Sequence, residues 1–287
     1  MRFAATLTAT LALATPAFAQ DTAPLTEIGE GTYHFWSMGY SSLVVVGEDG
    51  VLVTDTAFTP RAEAMKAAIA EITDLPVTYV ALSHEHFDHV GGSEVFAGAQ
   101  VVAQEKVEDF TSLSPLMPFP EIDQTFDDAL TIDLGGISVD LKHIAVGDGV
   151  ATTVAHIPAN GTVFSVDMYE PESFTVSEFK EDTNFIGVRE ILNEMVSWDP
   201  VYAINGHSPG NSVDALKENA ELMDKLYSTV LPRFEEAFAS GDPSAPWQLL
   251  FSISGEIEMP EYASWEAYDI AFPAYVRRMA LSIMHGG

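Results

Sequence analysis

The chain contains no cysteine in its 287 residues. Disulfides and thiolate metal ligands are therefore excluded, and any metal has to be held by histidine and carboxylate. Basic residues are scarce: 12 Lys and Arg stand against 43 Asp and Glu, a formal net charge of −31. Such a field repels phosphate backbones and anionic lipid surfaces, which argues against nucleic acid and membrane as partners and leaves a small-molecule substrate. No apolar run approaches the length of a membrane-spanning helix. Internal repeats and long linkers are also missing. The acid excess reads as a solvated surface and carries little information about chemistry.

What is present is a chain with 47% apolar residues, enough for one large domain or two small ones. Its first residues stand apart. Met1-Arg2 is a short positive start, Phe3 to Ala14 is apolar and threonine-rich, and Ala17-Phe18-Ala19 fits a small-residue cleavage site. This pattern predicts a secretory signal peptide over 1–19, a mature domain over 20–287 with a C-terminal helical extension, and a periplasmic or secreted location. Short strands are predicted at Thr32 to Trp36, Leu43 to Val46, Val51 to Thr54, Val77 to Leu82 and Gln100 to Ala103. Helices are predicted from Pro60 to about Ile72, after Ser93 and from about Gln104. The second half restarts the strand pattern at Ala129 to Leu134, Ile137 to Ile144, Ala151 to Ile157, Thr162 to Val166 and Val201 to Ile204. Helices follow near Phe185 to Val196 and from Val213 to about Ser240, where Gly241 is a stop. Two strand-rich halves, each followed by helices, suggest two packed sheets with helices outside. The segment Trp265 to Met284, interrupted by Pro273, fits either packing on the domain or a dimer contact.

The chemistry concentrates in "LSHEHFDHVGG", Leu82 to Gly92, with three histidines, a glutamate and an aspartate in six positions. On an extended segment His84 and His86 point the same way and can meet one cation. Asp88 and His89 follow where the chain turns and can face a second cation. The helical zinc-protease motif is excluded, because Asp88 stands four residues after His84.

With its histidine-x-histidine-x-aspartate-histidine signature, the chain resembles the metallo-β-lactamase superfamily over most of its mature length. Asp55 in "VLVTDTA" resembles the family's buried aspartate that braces the metal loop, Asp167 in "VFSVD" the bridging carboxylate, and His207 in "AINGHSPG" the last ligand. The resemblance implies an α/β fold, a four-layered αββα sandwich with the site at one edge of both sheets. It also implies two zinc ions, with Mn²⁺ or Fe²⁺ as alternatives. The implied reaction is hydrolysis of an ester, thioester, lactone or β-lactam by hydroxide held on metal, with Asp88 as ligand and as the residue that orients the nucleophile. The loops His34 to Tyr40 and Leu113 to Glu121 are the expected substrate walls, with Trp36, Met38, Met117 and Phe119 as apolar candidates. Lys142 and Arg189 are the nearest basic residues in sequence, which disfavours a strongly anionic substrate.

One position departs from the family pattern. Ten residues before Pro158, where the family carries a further histidine, this chain has Asp148. His156 is eight residues further along a strand, roughly 26 Å away at strand rise, and reads as an ordinary strand residue. His143, at the end of the preceding strand, is the closer substitute. If Asp148 ligates, three carboxylates surround two cations, each added anion weakening the metal as a Lewis acid. A weaker hydrolase, a different metal or a singly loaded site are the alternatives, as is an Asp148 that does not ligate at all. His84, His86 and Asp148 also form a two-histidine, one-carboxylate set of the kind that suits non-haem iron, as in a persulfide dioxygenase. A catalytically inactive metal- or ligand-binding relative is the third reading. An Asp148→His variant is expected to raise metal occupancy in metal analysis; unchanged occupancy and activity would show that Asp148 is not a weakened ligand.

Overall fold

In β3 (Tyr40–Val46), Val44 faces one side of its sheet while Leu43 and Val45 face the other. In β4 (Val51–Thr54), Val51 and Val53 are separated from Leu52 in the same way. All six are fully buried, so this sheet is covered on both faces. That is why these strands read as continuous apolar runs rather than as alternating ones.

The computed structural model describes residues 25–111, 119–175 and 183–286. The expected signal segment and Met117 lie outside the described residues. The first sheet runs β1 (Leu25–Gly29), β2 (Thr32–Ser37), β3, β4, β5 (Val77–Ala81), β6 (Gln100–Gln104) and β7 (Gln124–Phe126) in spatial as in chain order. It is antiparallel up to β4 and parallel from there to β7. The second sheet has the order β12 (Tyr202–Ile204), β11 (Thr162–Phe164), β10 (Val154–Ile157), β9 (Ser138–Lys142), β8 (Ala129–Asp133), with only the β11–β12 pair parallel.

Three apolar layers result. Helix α1 (Thr59–Ile69) sets Ala62 and Met65 against Val53 and Val80 of the first sheet, and the short α2 (Phe87–Val90) buries Val90 in the same layer. Leu43, Leu52 and Ala81 meet Leu141, Ile157 and Phe164 between the sheets. Val154, Val163 and Ala203 on the outer face of the second sheet meet α4 (Phe185–Ser197), α5 (Val213–Ala239), α6 (Ala245–Ser252) and α7 (Tyr268–His285). The architecture is an αββα sandwich, as expected. Among the described residues no helix is long and apolar enough to cross a membrane.

Element boundaries differ where polar contacts override the apolar pattern. Strand β10 begins at Val154 rather than Ala151, because residues 147–152 form a loop closed by hydrogen bonds from the Gly149 and Thr152 amides. Gln104 ends β6, and α3 (Val107–Thr111) starts three residues later than expected. Strands β1 and β7 carry too few apolar residues to be anticipated, and helix α6 is short with its apolar residues at no clear period. Pro273 does not interrupt α7, which buries Phe272, Tyr275, Val276 and Met279 among the helices of the third layer.

Two buried polar groups fasten the sheet edge that carries the functional loops. Arg61 of α1, fully buried, donates from Nε to the Ser37 carbonyl, from Nη1 to the Asp55 carbonyl and Ser42 Oγ, and from Nη2 to the Tyr40 carbonyl. Burial draws its pKa down to about 10, opposed by Asp55 and Tyr40, so the guanidinium remains charged. His34 lies 2.7 Å from Ser41 Oγ, which donates to the Ser208 carbonyl. The Ser41 amide donates to the Gly206 carbonyl, so β3 is tied to the loop after β12.

Replacing Arg61 with Met removes a donor from four acceptors, of which the Asp55 carbonyl keeps Ser42 Oγ, and a loss of about 3 kcal/mol in urea denaturation is expected. His34 gives a pH signature. Burial, and next the charge of Arg61, lower its pKa from 6.5 to about 4. The folded state therefore favours neutral His34; the stability it contributes is complete above pH 6.5 and disappears as pH falls towards 4. The stability difference between the protein and a His34→Gln variant should change across that window by roughly 3 kcal/mol. A pH-independent difference would contradict this account of His34.

Candidate metal centre

Five chain segments bring polar side chains to one edge of the sandwich. Asp55 follows β4, the His84 to His89 run follows β5, Asp167 lies just beyond β11, His207 follows β12, and Asp148 precedes β10. Asp55 and Asp167 have left-handed backbone conformations, with φ of 36° and 62°. Aspartate tolerates this region better than most residues, but it is strained and recurs at functional positions. In both, the turn at the strand end aims the carboxylate across the sheet edge. Gly206 permits the same convergence from the other side: a Cβ there would lie 2.4 Å from Val166 Cγ1 and 3.2 Å from Asp167 Oδ1.

Two groups of side chains form. His84, His86, Asp148 and Asp167 have ligand atoms within 4.8 Å of one another, as do those of Asp88, His89 and His207. Asp167 reaches both: Oδ2 is 3.6 Å from His84 Nε2 and 3.2 Å from His89 Nε2, and Oδ1 is 2.9 Å from His207 Nε2. Asp88 Oδ2 lies 3.5 Å from His89 Nε2 and 3.9 Å from His207 Nε2. Asp148 Oδ2 lies 3.2 Å from His86 Nδ1 and 3.8 Å from His84 Nε2. All seven sequence-predicted site residues are thus drawn together.

Three of the imidazoles turn one nitrogen to a protein partner and the other to the centre. His84 Nδ1 meets Ser83 Oγ at 2.8 Å, His207 Nδ1 meets the Gly39 carbonyl at 3.2 Å, and His89 Nδ1 is 3.3 Å from Asp55 Oδ2. Such partners orient a histidine and raise its basicity towards a cation. Asp55 does this from a fixed position, because its Oδ1 accepts the Ser83 amide at 2.8 Å. The bracing role expected for Asp55 is visible in these contacts.

Asp148 is presented by the loop 147–152. The Glu85 carboxylate accepts the Val150 and Ala151 amides at 2.8 and 3.1 Å, and Thr183 Oγ1 donates to Asp148 Oδ1 at 2.6 Å. His143 does not take its place, being committed through Nδ1 to the Thr152 carbonyl and through Nε2 to Lys106 Nζ at 3.2 Å. His156 stacks on Trp198 at 4.7 Å, in keeping with an ordinary strand role.

The substrate side departs further from expectation. From the loop His34 to Tyr40 it is Tyr40 that touches the centre. Its hydroxyl donates to Asp88 Oδ2 at 3.4 Å, and its ring lies 4.8 Å from that of His207 and 5.6 Å from that of His89. Met38 is about half exposed on the same turn. Phe119 packs with the first apolar layer and lines a recess with Ser93, Phe96 and Val101 instead of facing the histidines. Lys142 lies over Trp198, and Arg189 pairs with Asp224 across α4 and α5. The loop that ends in Tyr40 is an expected wall, whereas the roles of Glu85 and Thr183 are not anticipated by the sequence, because their partners are distant in the chain.

The electrostatics fit a cation. Burial, and next the neighbouring charges of His89 and His86, lower the His84 pKa to about 4. Burial opposes charge on His89 too, but Asp167 and Asp55 outweigh it and hold the imidazole well above its ordinary range. Burial pushes Asp167 upward, yet His89 and His207 dominate and keep it a carboxylate far below its usual range. His84 Nε2 is buried with no hydrogen-bond partner among the described residues. An orphaned nitrogen in that position costs about 1–3 kcal/mol, and a divalent cation facing the carboxylates removes that cost. Nitrogen and oxygen donors without sulfur suit zinc, manganese or iron.

Residues 35–213 match the family described as the Metallo-beta-lactamase superfamily. The chain belongs to this superfamily. A metallo-beta-lactamase from Pontibacter korlensis has a TM-score of 0.60 at 17% identity, over 70% of this chain and 99% of that one. The stereoselective inverting sec-alkylsulfatase from Pseudomonas sp. has a TM-score of 0.68 at 13% identity, over 90% of this chain and 50% of that one. These identities establish the fold alone. The beta subunit of 2,4-dinitroanisole O-demethylase from Nocardioides sp. is 28% identical over 148 residues, 49% of this chain and 46% of that protein. The chain thus spans about half the length of the curated relative it matches. Superfamily membership and the His/Asp groups together support a metal cofactor and a hydrolase-type activity.

Because Gly206 leaves no room for a side chain, Gly206→Ala should displace the Asp167–His207 contact. A stability loss of about 1–3 kcal/mol is expected by denaturation, with weakened metal binding in a calorimetric titration. A variant as stable as the parent would refute the steric account.

Proposed function

We propose that this protein is a metal-dependent hydrolase that takes two divalent cations, zinc foremost, and opens an ester, thioester, lactone or β-lactam type bond in a small molecule. One position is formed by His84, His86, Asp148 and Asp167, the other by Asp88, His89, His207 and Asp167. The observation that carries this reading is the convergence of the two groups with Asp167 in contact with both. Cations there would supply Lewis acidity and water activation.

The chain's own residues supply orientation. Asp88 is the most exposed of the three carboxylates, at 24%, and Tyr40 donates to it. It is placed to hold a nucleophilic water by accepting its proton while the histidines remain fixed behind it. Asp148 adds a third negative charge, which tempers Lewis acidity and favours substrates with good leaving groups. Lys142 and Arg189 are occupied elsewhere, which supports a substrate without strong negative charge. The composition of residues 1–19 supports a periplasmic or secreted location for a mature domain over 20–287.

Metal analysis of protein purified without added metal, run beside a panel of aryl ester, thioester, lactone, nitrocefin and 2,4-dinitroanisole, tests the proposal. Two equivalents of zinc or manganese and turnover of an acyl substrate are expected. One equivalent of iron would favour the oxygenase reading, and no metal with no turnover the inactive one. Turnover of 2,4-dinitroanisole alone would move the bond from acyl to aryl ether, the substrate in the name of the Nocardioides relative. Asp88→Asn should lower turnover about 10²–10⁴-fold.

A further inference from the structure

We infer that Asp148 is set in place by a two-sided clamp, Glu85 on one side and Thr183, anchored to helix α7, on the other. Docking of α7 and metal affinity at the His84–His86 position are therefore linked. The inference rests on the reading of Asp148 as a ligand given above.

An aspartate is shorter than the histidine usual at this place in the family, so the loop that carries it has to come closer and stay there. Glu85 holds it from within the histidine motif. While His84 and His86 face the cation position, Glu85 lies between them in sequence and points into the loop 147–152, where its two oxygens accept successive amides. It is 4% exposed, and a Cβ on Gly149 would stand 2.5 Å from its Oε2, so the glycine is required for this approach. The second jaw is Thr183, which is fully buried. Its hydroxyl fixes Asp148 Oδ1, leaving Oδ2 towards His86 and His84.

Thr183 is in turn held by the C-terminal helix. Its carbonyl accepts from Arg278 Nε, the Asn184 side chain donates to the Gly286 carbonyl at 2.7 Å, and the Phe185 amide donates to Ser282 Oγ at 3.0 Å. Arg278, Ser282 and Gly286 are spaced four residues apart, so three consecutive residues of the chain are bonded to one stripe along the end of α7. Ser282 is fully buried in that contact. A displacement of α7 would carry Thr183 with it and turn the Asp148 carboxylate. Linkage makes the coupling reciprocal, so a cation bound through Asp148 stabilises the docked helix.

Calorimetric titration of metal-free protein with Zn²⁺ reads this out. In Thr183→Val, which keeps the shape and removes the donor, one of the two binding steps should weaken by about ten- to a hundredfold while the other is unchanged. Thr183→Ser should restore binding to the parent level. Arg278→Gln should weaken the same step, whereas Ile270→Ala, at an exposed position of α7, should alter neither. Hydrogen exchange of α7 amides should slow on Zn²⁺ addition in the parent and respond less in Thr183→Val. If Asp148→Ala leaves both steps intact, the ligand reading itself falls. If Asp148→Ala weakens one step and neither Thr183→Val nor Arg278→Gln does, the ligand reading stands and the clamp is overturned.

Discussion

The centre depends on the contacts of one buried carboxylate. Asp55, at the end of a strand in the middle of the first sheet, accepts the Ser83 amide with one oxygen and faces His89 with the other. Its own carbonyl is held by Arg61 and Ser42. The first contact fixes where the histidine run leaves β5, and the second fixes the orientation of its most deeply placed imidazole. The left-handed backbone at Asp55 is what allows both at once. That strain persists because the surrounding sheet and a fully buried guanidinium leave the turn no alternative.

The same economy appears throughout the site. Four of the ligand-type side chains are held by a polar partner: His84 by the adjacent Ser83 and, from other segments, His89 by Asp55, His207 by the Gly39 carbonyl and Asp148 by Thr183. Three carboxylates, from Asp88, Asp148 and Asp167, crowd around four imidazoles. The buried imidazoles are pulled in opposite directions: Asp167 and Asp55 raise the His89 pKa well above its ordinary range, while burial lowers that of His84. A site containing such opposed tendencies within a few ångströms is preorganised for a divalent ion.

Asp148 shows how a short carboxylate is brought to a centre built mainly of histidines. A loop, a glycine and a threonine bring its carboxylate towards His86 and His84. Glu85 couples the loop directly to the histidine motif, and Thr183 couples it to the end of α7. Helix α7 is thereby connected to the chemistry although none of the seven site residues lies on it.

By itself the sequence determined the layered fold and singled out the histidines and carboxylates that converge at one sheet edge. Apolar runs such as "SLVVV" require burial on both faces, and "HEHFDH" places imidazole and carboxylate at a density that few other purposes explain. Asp55, Asp167 and His207 were legible from their order and spacing relative to that motif. The short polar strand β7, the late start of β10 and the continuity of α7 through Pro273 were not, because each depends on contacts with residues far along the chain. Only tertiary structure decided that Asp148, and neither His143 nor His156, faces His84 and His86. It also decided that Tyr40 reaches the centre where Phe119 does not. The reason is physical: local pattern reports which way a side chain points from its own strand or helix, whereas a metal centre depends on distances between strand ends that are set by how the two sheets pack.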